Sequence, residues 1–165
     1  DLVYVILKKN DISSFKIISA RTYKYSKYWK EKLKNAFYKT SAELNKLDDE
    51  YGVFLGKLVN KFIAENEIEK IDFIASHGHT IFHKPDEGYT LQIGNGKHIA
   101  EVTNCKVVYD FRTQDVKLGG QGAPLVPIGD LNLFSDYKYC LNIGGFCNIS
   151  VKKNKTIKKK FFFVF

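Results

Sequence analysis

Three short segments concentrate the residue types that do chemistry. The longest runs from Asp110 to Pro127 and gathers Asp110, Arg112, Asp115, Gly119, Gly120, Gly122, Pro124 and Pro127 behind a short apolar stretch. Glycines let a backbone approach a ligand closely, prolines fix the loop that does so, and an Asp held beside them can take a proton as a general base. About thirty residues earlier stands Ser76-His77-Gly78-His79-Thr80, and about twenty residues later Asn142-Ile143-Gly144-Gly145, each behind an apolar run. Polar, glycine-bearing turns after apolar strands are how open α/β sheets build sites at strand carboxyl ends.

Each constellation has a chemical and a structural reading. Asp115 is either the base that deprotonates a nucleophile or an N-cap for the next helix or turn. Asp110 and Arg112 read as a pair that positions the loop. Gly119-Gly120-Gln121-Gly122 offers backbone N–H groups to an anion or a sugar, or simply turns tightly. Asn142-Ile143-Gly144-Gly145 lies between two strands, as a hairpin turn that can also approach a nucleotide phosphate. His77, His79 and His83 have a spacing a metal could use, but no carboxylate or Cys completes a recognised ligand set, so no metal site is expected. Gly94-Asn95-Gly96 resembles a dinucleotide fingerprint, but the glycine spacing is wrong and it follows an inner strand, so it reads as a turn and helix cap.

The elements that must position these residues follow from periodicity. Leu2–Leu7 and Phe15–Tyr25 read as two strands of a hairpin around Lys9-Asn10-Asp11, and 26–38 as helical. Thr40 with Glu43 is a capping box, and Leu44, Leu47, Tyr51, Leu55, Leu58 and Phe62 form one helical stripe, expected to face the core. Short strands are expected at 71–75, 90–93, 106–109 and 139–143, with a helix from Gly96 through Val102. Strands alternating with helices after a hairpin predict an α/β fold with a mixed sheet.

Composition limits the function. The 165 residues are 44% hydrophobic, enough for one ordinary domain. The net charge of +8 is mostly local, because six Lys and no acid fall within 151–165. The rest is close to neutral, which argues against a nucleic-acid-binding body. Cys105, Cys140 and Cys147 show no paired spacing and read as reduced thiols. No signal peptide or membrane span is apparent. Residues 152–160 are Lys-rich and give way to four Phe among the last five residues. This tail has neither cap nor period, and a lost reading frame after Ser150 is one explanation. A domain over 1–150 and an aberrant tail over 151–165 are therefore expected.

Taken together, Ser76-His77-Gly78-His79-Thr80-Ile81-Phe82-His83, Thr90-Leu91-Gln92-Ile93-Gly94-Asn95-Gly96, Asp110 through Pro127 and Leu141-Asn142-Ile143-Gly144-Gly145 resemble the anhydro-N-acetylmuramic acid kinases in order and spacing. The resemblance extends to about Ser150. It implies a ribonuclease-H-like lobe of the actin, hexokinase and Hsp70 type, with a mixed sheet and flanking helices. It also implies a cytoplasmic enzyme of cell-wall recycling that uses ATP with Mg²⁺ and water to open the 1,6-anhydro ring of anhydro-N-acetylmuramate and phosphorylate O6. By the same resemblance Asp115 is the catalytic base; His77, Thr80, Arg112, Gly120 and Gln121 face the sugar; Asn142, Gly144 and Gly145 face the nucleotide phosphates. His79 stands where the family usually has Gln. The family's amino-terminal phosphate loop and second lobe have no counterpart in these 165 residues, so an inactive piece of the kinase is expected. A homodimer is left open. A non-catalytic sugar-binding lobe is the main rival. A tail that recruits nucleic acid or membrane and a Rossmann-type oxidoreductase are more distant ones.

Overall fold

The computed structural model describes residues 1–8, 11–122, 125–143, 146–153 and 156–164. The chain divides into two compact units, one of Asp1–Val3 with Ser19–Gly122, the other of Tyr4–Ile18 with Ala123–Phe165.

Two strands, β1 (Leu2–Lys8) and β2 (Asp11–Arg21), pair with each other, and each contributes residues to both units. In the first unit the end of β2 is tied down by polar contacts. Ser19 Oγ donates to Asn66 Oδ1 at 2.5 Å, and Arg21 bonds Glu65 at 2.6 Å. Helix α1 (Lys27–Lys34) is capped by Ser26, which accepts from the Trp29 N–H, and ends in a 3-10 turn at Asn35–Tyr38. Helix α2 (Ser41–Glu65) begins with the full capping box: Thr40 accepts from the Glu43 N–H, and Glu43 accepts from the Thr40 N–H. Its inner face meets α1 in a cluster of Leu33, Ala36, Leu44, Leu47, Tyr51 and Ile93, flanked by Trp29 and Phe54 with ring centroids 4.5 Å apart.

The predicted stripe on α2 holds at Leu44, Leu47, Tyr51 and Phe62, which are buried, while Leu55 and Leu58 are only partly so. Gly52, Gly56 and Val59 take the buried positions instead. The cause is helix α3 (Gly96–Thr103), which lies against the two glycines. A Cβ at Gly56 would stand 2.8 Å from Val102 Cβ, and one at Gly52 would stand 3.2 Å from His98 Cβ. Small residues thus set the spacing between the helices.

The remaining strands of this unit form two small ladders. β3 (Ile74–Ser76) runs parallel to β6 (Val107–Tyr109), and β4 (His79–Lys84) runs antiparallel to β5 (Tyr89–Ile93) with a bulge between Thr80 and Phe82. Helix α4 (Thr113–Lys117) follows β6. The second unit holds α5 (Leu125–Leu133) and an antiparallel three-stranded sheet of β7 (Tyr139–Ile143), β8 (Phe146–Lys153) and β9 (Thr156–Val164). The buried Lys152 ammonium bonds the Asp130 carbonyl at 2.8 Å and the Phe134 carbonyl, a cation placed on the carboxyl end of α5.

The architecture is α/β with parallel and antiparallel pairing, as the alternation of elements predicts. The described strands form four small sheets, not the single mixed sheet expected; β3 and β6 are only three residues long and leave little ladder to extend. Position 150 lies inside β8, and Ser150 is fully buried.

Candidate functional site

The site grows from the parallel pair. Pairing Ser76 with Tyr109 brings the carboxyl ends of β3 and β6 side by side, so the turn after each strand opens on the same place. A cavity of about 260 Å³ lies there, lined among others by Asp48, Ser76, His77, Gln92, Lys97 and Asp110. Its walls are shaped by glycines at close approaches. Gly78 has φ +70°, and a Cβ there would run into the Ile93 carbonyl. A Cβ at Gly96 would strike the Tyr109 ring.

The turn after β5 is held from α2. The Asp48 carboxylate accepts the Gly94 N–H at 2.6 Å, its carbonyl accepts the Asn95 N–H at 3.2 Å, and the Asn95 amide donates to Asp49 at 2.8 Å. Asn95 in turn caps α3, accepting from the Lys97 N–H at 3.0 Å. The turn-and-cap reading of Gly94-Asn95-Gly96 is therefore correct. Burial pushes the Asp48 carboxyl above its ordinary value, with the neighbouring Asp49 charge adding to the rise.

The loop after β6 is organised around Asp115. Asp110 adopts φ +56° and accepts the Thr113 N–H at 3.3 Å. Arg112 donates from Nε to His77 Nε2 at 2.8 Å and from Nη1 to the Gly122 carbonyl at 2.7 Å. The Gly122 N–H donates to Asp115 Oδ2 at 2.7 Å, and the Gly120 N–H donates to the Asp115 carbonyl at 2.7 Å. A Cβ at Gly120 would lie 2.6 Å from Asp115 Oδ1, so any side chain there displaces the carboxylate.

Two expectations are corrected by this geometry. Asp115 is not an N-cap: Arg112 occupies that position of α4, and Asp115 sits inside the helix with its carboxylate turned to the glycine loop. Asp110 and Arg112 do not pair with each other: Asp110 accepts from the Thr113 N–H, and Arg112 donates to His77 and to the Gly122 carbonyl.

The other candidate residues are placed as follows. Thr80 is on β4, exposed, 3.5 Å from the Gln92 amide nitrogen. Gln121 is exposed and reaches Asp86 at 3.5 Å, the limit of a hydrogen bond. His77, His79 and His83 turn to different partners. His77 meets Arg112 and the Gly78 carbonyl, His79 lies edge-on to the Tyr51 ring, and His83 Nδ1 is 3.3 Å from Thr90 Oγ1. Burial lowers the basicity of His79 and His83, and the Arg112 charge lowers that of His83 further. Among the described residues no three His, Cys, Asp or Glu side chains converge as metal ligands. In the second unit Asn142 donates to the buried Asp130 at 3.3 Å, whereas Gly144 and Gly145 lie outside the described residues. The strands flanking them pair as the hairpin reading requires, Ile143 opposite Cys147.

Sequence reasoning missed Asp48, Gln92 and Lys97. For Asp48 the signal exists: it falls between Leu47 and Tyr51, four residues after Leu44, an acid at the edge of an apolar stripe. The Gln92 Oε1 atom is buried without a partner in the wall of the cavity.

Comparison with known proteins adds the family. The sequence profile described as anhydro-N-acetylmuramic acid kinase matches residues 1–160. The chain belongs to the anhydro-N-acetylmuramic acid kinase family. Proteins of that name are similar to it in Pseudomonas syringae pv. tomato, 50% identical over 95 residues, which is 56% of this chain and 25% of the relative. One in Acinetobacter baylyi is 40% identical over 113 residues, covering 66% and 30%. One in Pseudomonas syringae pv. syringae is 52% identical over 85 residues, covering 50% and 23%. The matched part of this anhydro-N-acetylmuramic acid kinase family member thus spans about a quarter of the length of those relatives. No helix among its described residues is long and apolar enough to cross a membrane.

Proposed function

We propose that this chain carries the acid–base part of a cytoplasmic kinase that opens 1,6-anhydro-N-acetylmuramate and phosphorylates its O6 from ATP. The observation that carries the reading is the setting of Asp115. Its Oδ2 is held by the Gly122 N–H, on a loop that Arg112 ties to His77 in the wall of a polar cavity. A carboxylate anchored through one oxygen keeps the other for a proton. In the proposed reaction Asp115 takes a proton from water as the water oxygen bonds the anomeric carbon. The bond from that carbon to O6 breaks, and O6 takes the γ-phosphoryl group, leaving ADP and N-acetylmuramate 6-phosphate.

Positioning supplies much of such a barrier reduction. The glycine loop 119–122, with Gly120 and Gln121, and the turn carrying His77 and Thr80 would frame the sugar. Asn142, with Gly144 and Gly145, would face the nucleotide. Mg²⁺ fits as an ion that arrives on the ATP phosphates and needs few protein carboxylates. Such a cation neutralises phosphate charge.

Calorimetry of this chain tests the sugar half of the reading. Titration with 1,6-anhydro-N-acetylmuramate gives binding, and N-acetylglucosamine binds more weakly; equal or absent heats for both sugars count against it. Joined to the remaining sequence of a full-length relative, Asp115→Asn lowers kcat about 10²–10⁴-fold with KM little changed. An unaltered kcat would leave a sugar-binding lobe without its base.

A further inference from the structure

Arg112 stands where a ligand-facing cation is expected, yet its guanidinium is turned to the protein. Nε donates to His77 on the turn after β3, and Nη1 donates to the Gly122 carbonyl on the glycine loop. We infer that Arg112 is a positioning residue that fixes two things at once: the tautomer of His77 and, through Gly122, the direction of the Asp115 carboxylate.

The first part follows from donor and acceptor counting. A guanidinium has five N–H donors and no acceptor. Its bond to His77 Nε2 therefore uses the ring's lone pair, and the ring proton resides on Nδ1. Nδ1 lies 3.2 Å from the Gly78 carbonyl, an acceptor suited to that proton. Both ring nitrogens are thereby spent on protein, and His77 contributes its ring to the cavity wall without a free lone pair.

The second part follows from how Gly122 is held. Its carbonyl accepts from Arg112 and its N–H donates to Asp115, so the residue is gripped from both flanking peptide groups. Its φ of +62° and the 2.7 Å between a Cβ built there and Val116 Cγ2 both favour glycine in its place. A shift of Gly122 moves the hydrogen-bond donor that aims the carboxylate. Only a planar group with donors at fixed, divergent angles can bridge the two motifs; a Lys ammonium is a point charge at the end of a flexible stem.

That this setting serves catalysis rests on the reading of Asp115 as the base; the positioning itself does not. The test therefore contains neither sugar nor nucleotide, so failure of the kinase reading leaves it intact. Long-range nitrogen–proton NMR on the ¹⁵N-labelled chain, with His77 assigned by His77→Gln, is expected to show the proton on Nδ1. In Arg112→Gln, His77 moves to the Nε2–H tautomer and the Gly122 amide exchanges with solvent about tenfold faster, the loss of about one hydrogen bond. The amides of Val59 and Ile99, in the α2–α3 packing, keep their wild-type rates. Arg112→Lys, which retains charge and stem, is the second variant and gives the same two changes. A wild-type His77 carrying its proton on Nε2 overturns the inference without any variant. So does retention of both wild-type signals in Arg112→Gln or Arg112→Lys.

Discussion

Asp48 shows how one side chain can both build the cavity and cost stability. It anchors the Gly94–Asn95 turn, and the half-burial that this requires disfavours its charge. A carboxyl whose folded pKa lies above its unfolded value binds protons more tightly in the native state, so its burial penalty is present at neutral pH. The penalty fades as pH falls through the raised value toward the ordinary carboxylate value. Asp48→Asn keeps an oxygen that accepts the Gly94 N–H and removes the buried charge. The variant is expected to melt above wild type at pH 7, with the gap closing as the buffer is taken down to about pH 3.5, near the ordinary Asp pKa. Parallel thermal melts across that range decide it; a gap independent of pH would show that the carboxylate charge carries no penalty.

At the level of elements, the cavity depends on how closely α3 approaches α2. A Cβ at Gly52 would stand 3.0 Å from the Asn95 nitrogen and closer still to its carbonyl, both backbone atoms that cannot swing away. Gly52→Ala is expected to cost about 1–3 kcal/mol by overpacking, more than the helix propensity gained by losing a glycine, about 1 kcal/mol. Denaturant melts measure the loss, and a variant as stable as wild type would mean that α3 is free to shift outward.

This packing also marks where sequence reading stops. The capping box, the stripe through Tyr51 and the strand before Asp110 were legible, because each follows from local period or local hydrogen bonding. Burial of Gly52 and Gly56 was not, since nothing in α2 alone says that a second helix needs room there. Likewise Ser76–Thr80 was read as one turn. The positive φ of Gly78 tightens that turn to two residues and places Thr80 on β4. Candidate residues in motifs stand out by type and spacing, whereas Asp48 reaches the cavity only through tertiary contact.

For the molecule as a whole, the charge and the apolar surface pull in opposite directions. Alternate residues of β7 point to one side of the strand, and on that side Tyr139, Leu141 and Ile143 are 57%, 59% and 78% exposed. Exposed apolar strand faces favour association. A net charge of +8 opposes it, with a range that salt shortens to about 10 Å at 0.1 M. The chain is therefore expected to self-associate more strongly as ionic strength rises, the reverse of an assembly held by ion pairs. Sedimentation velocity over a concentration series at low and at high salt measures this. The double variant Leu141→Lys with Ile143→Lys should stay monomeric at both, because it adds charge on the face that β7 exposes while leaving the buried Ser150 and Lys152 of the neighbouring strand in place. Association that weakens with salt, or that survives the double variant, would assign the contact to another surface. Association that disappears in the double variant would locate on β7 the self-contact that the sequence alone left open.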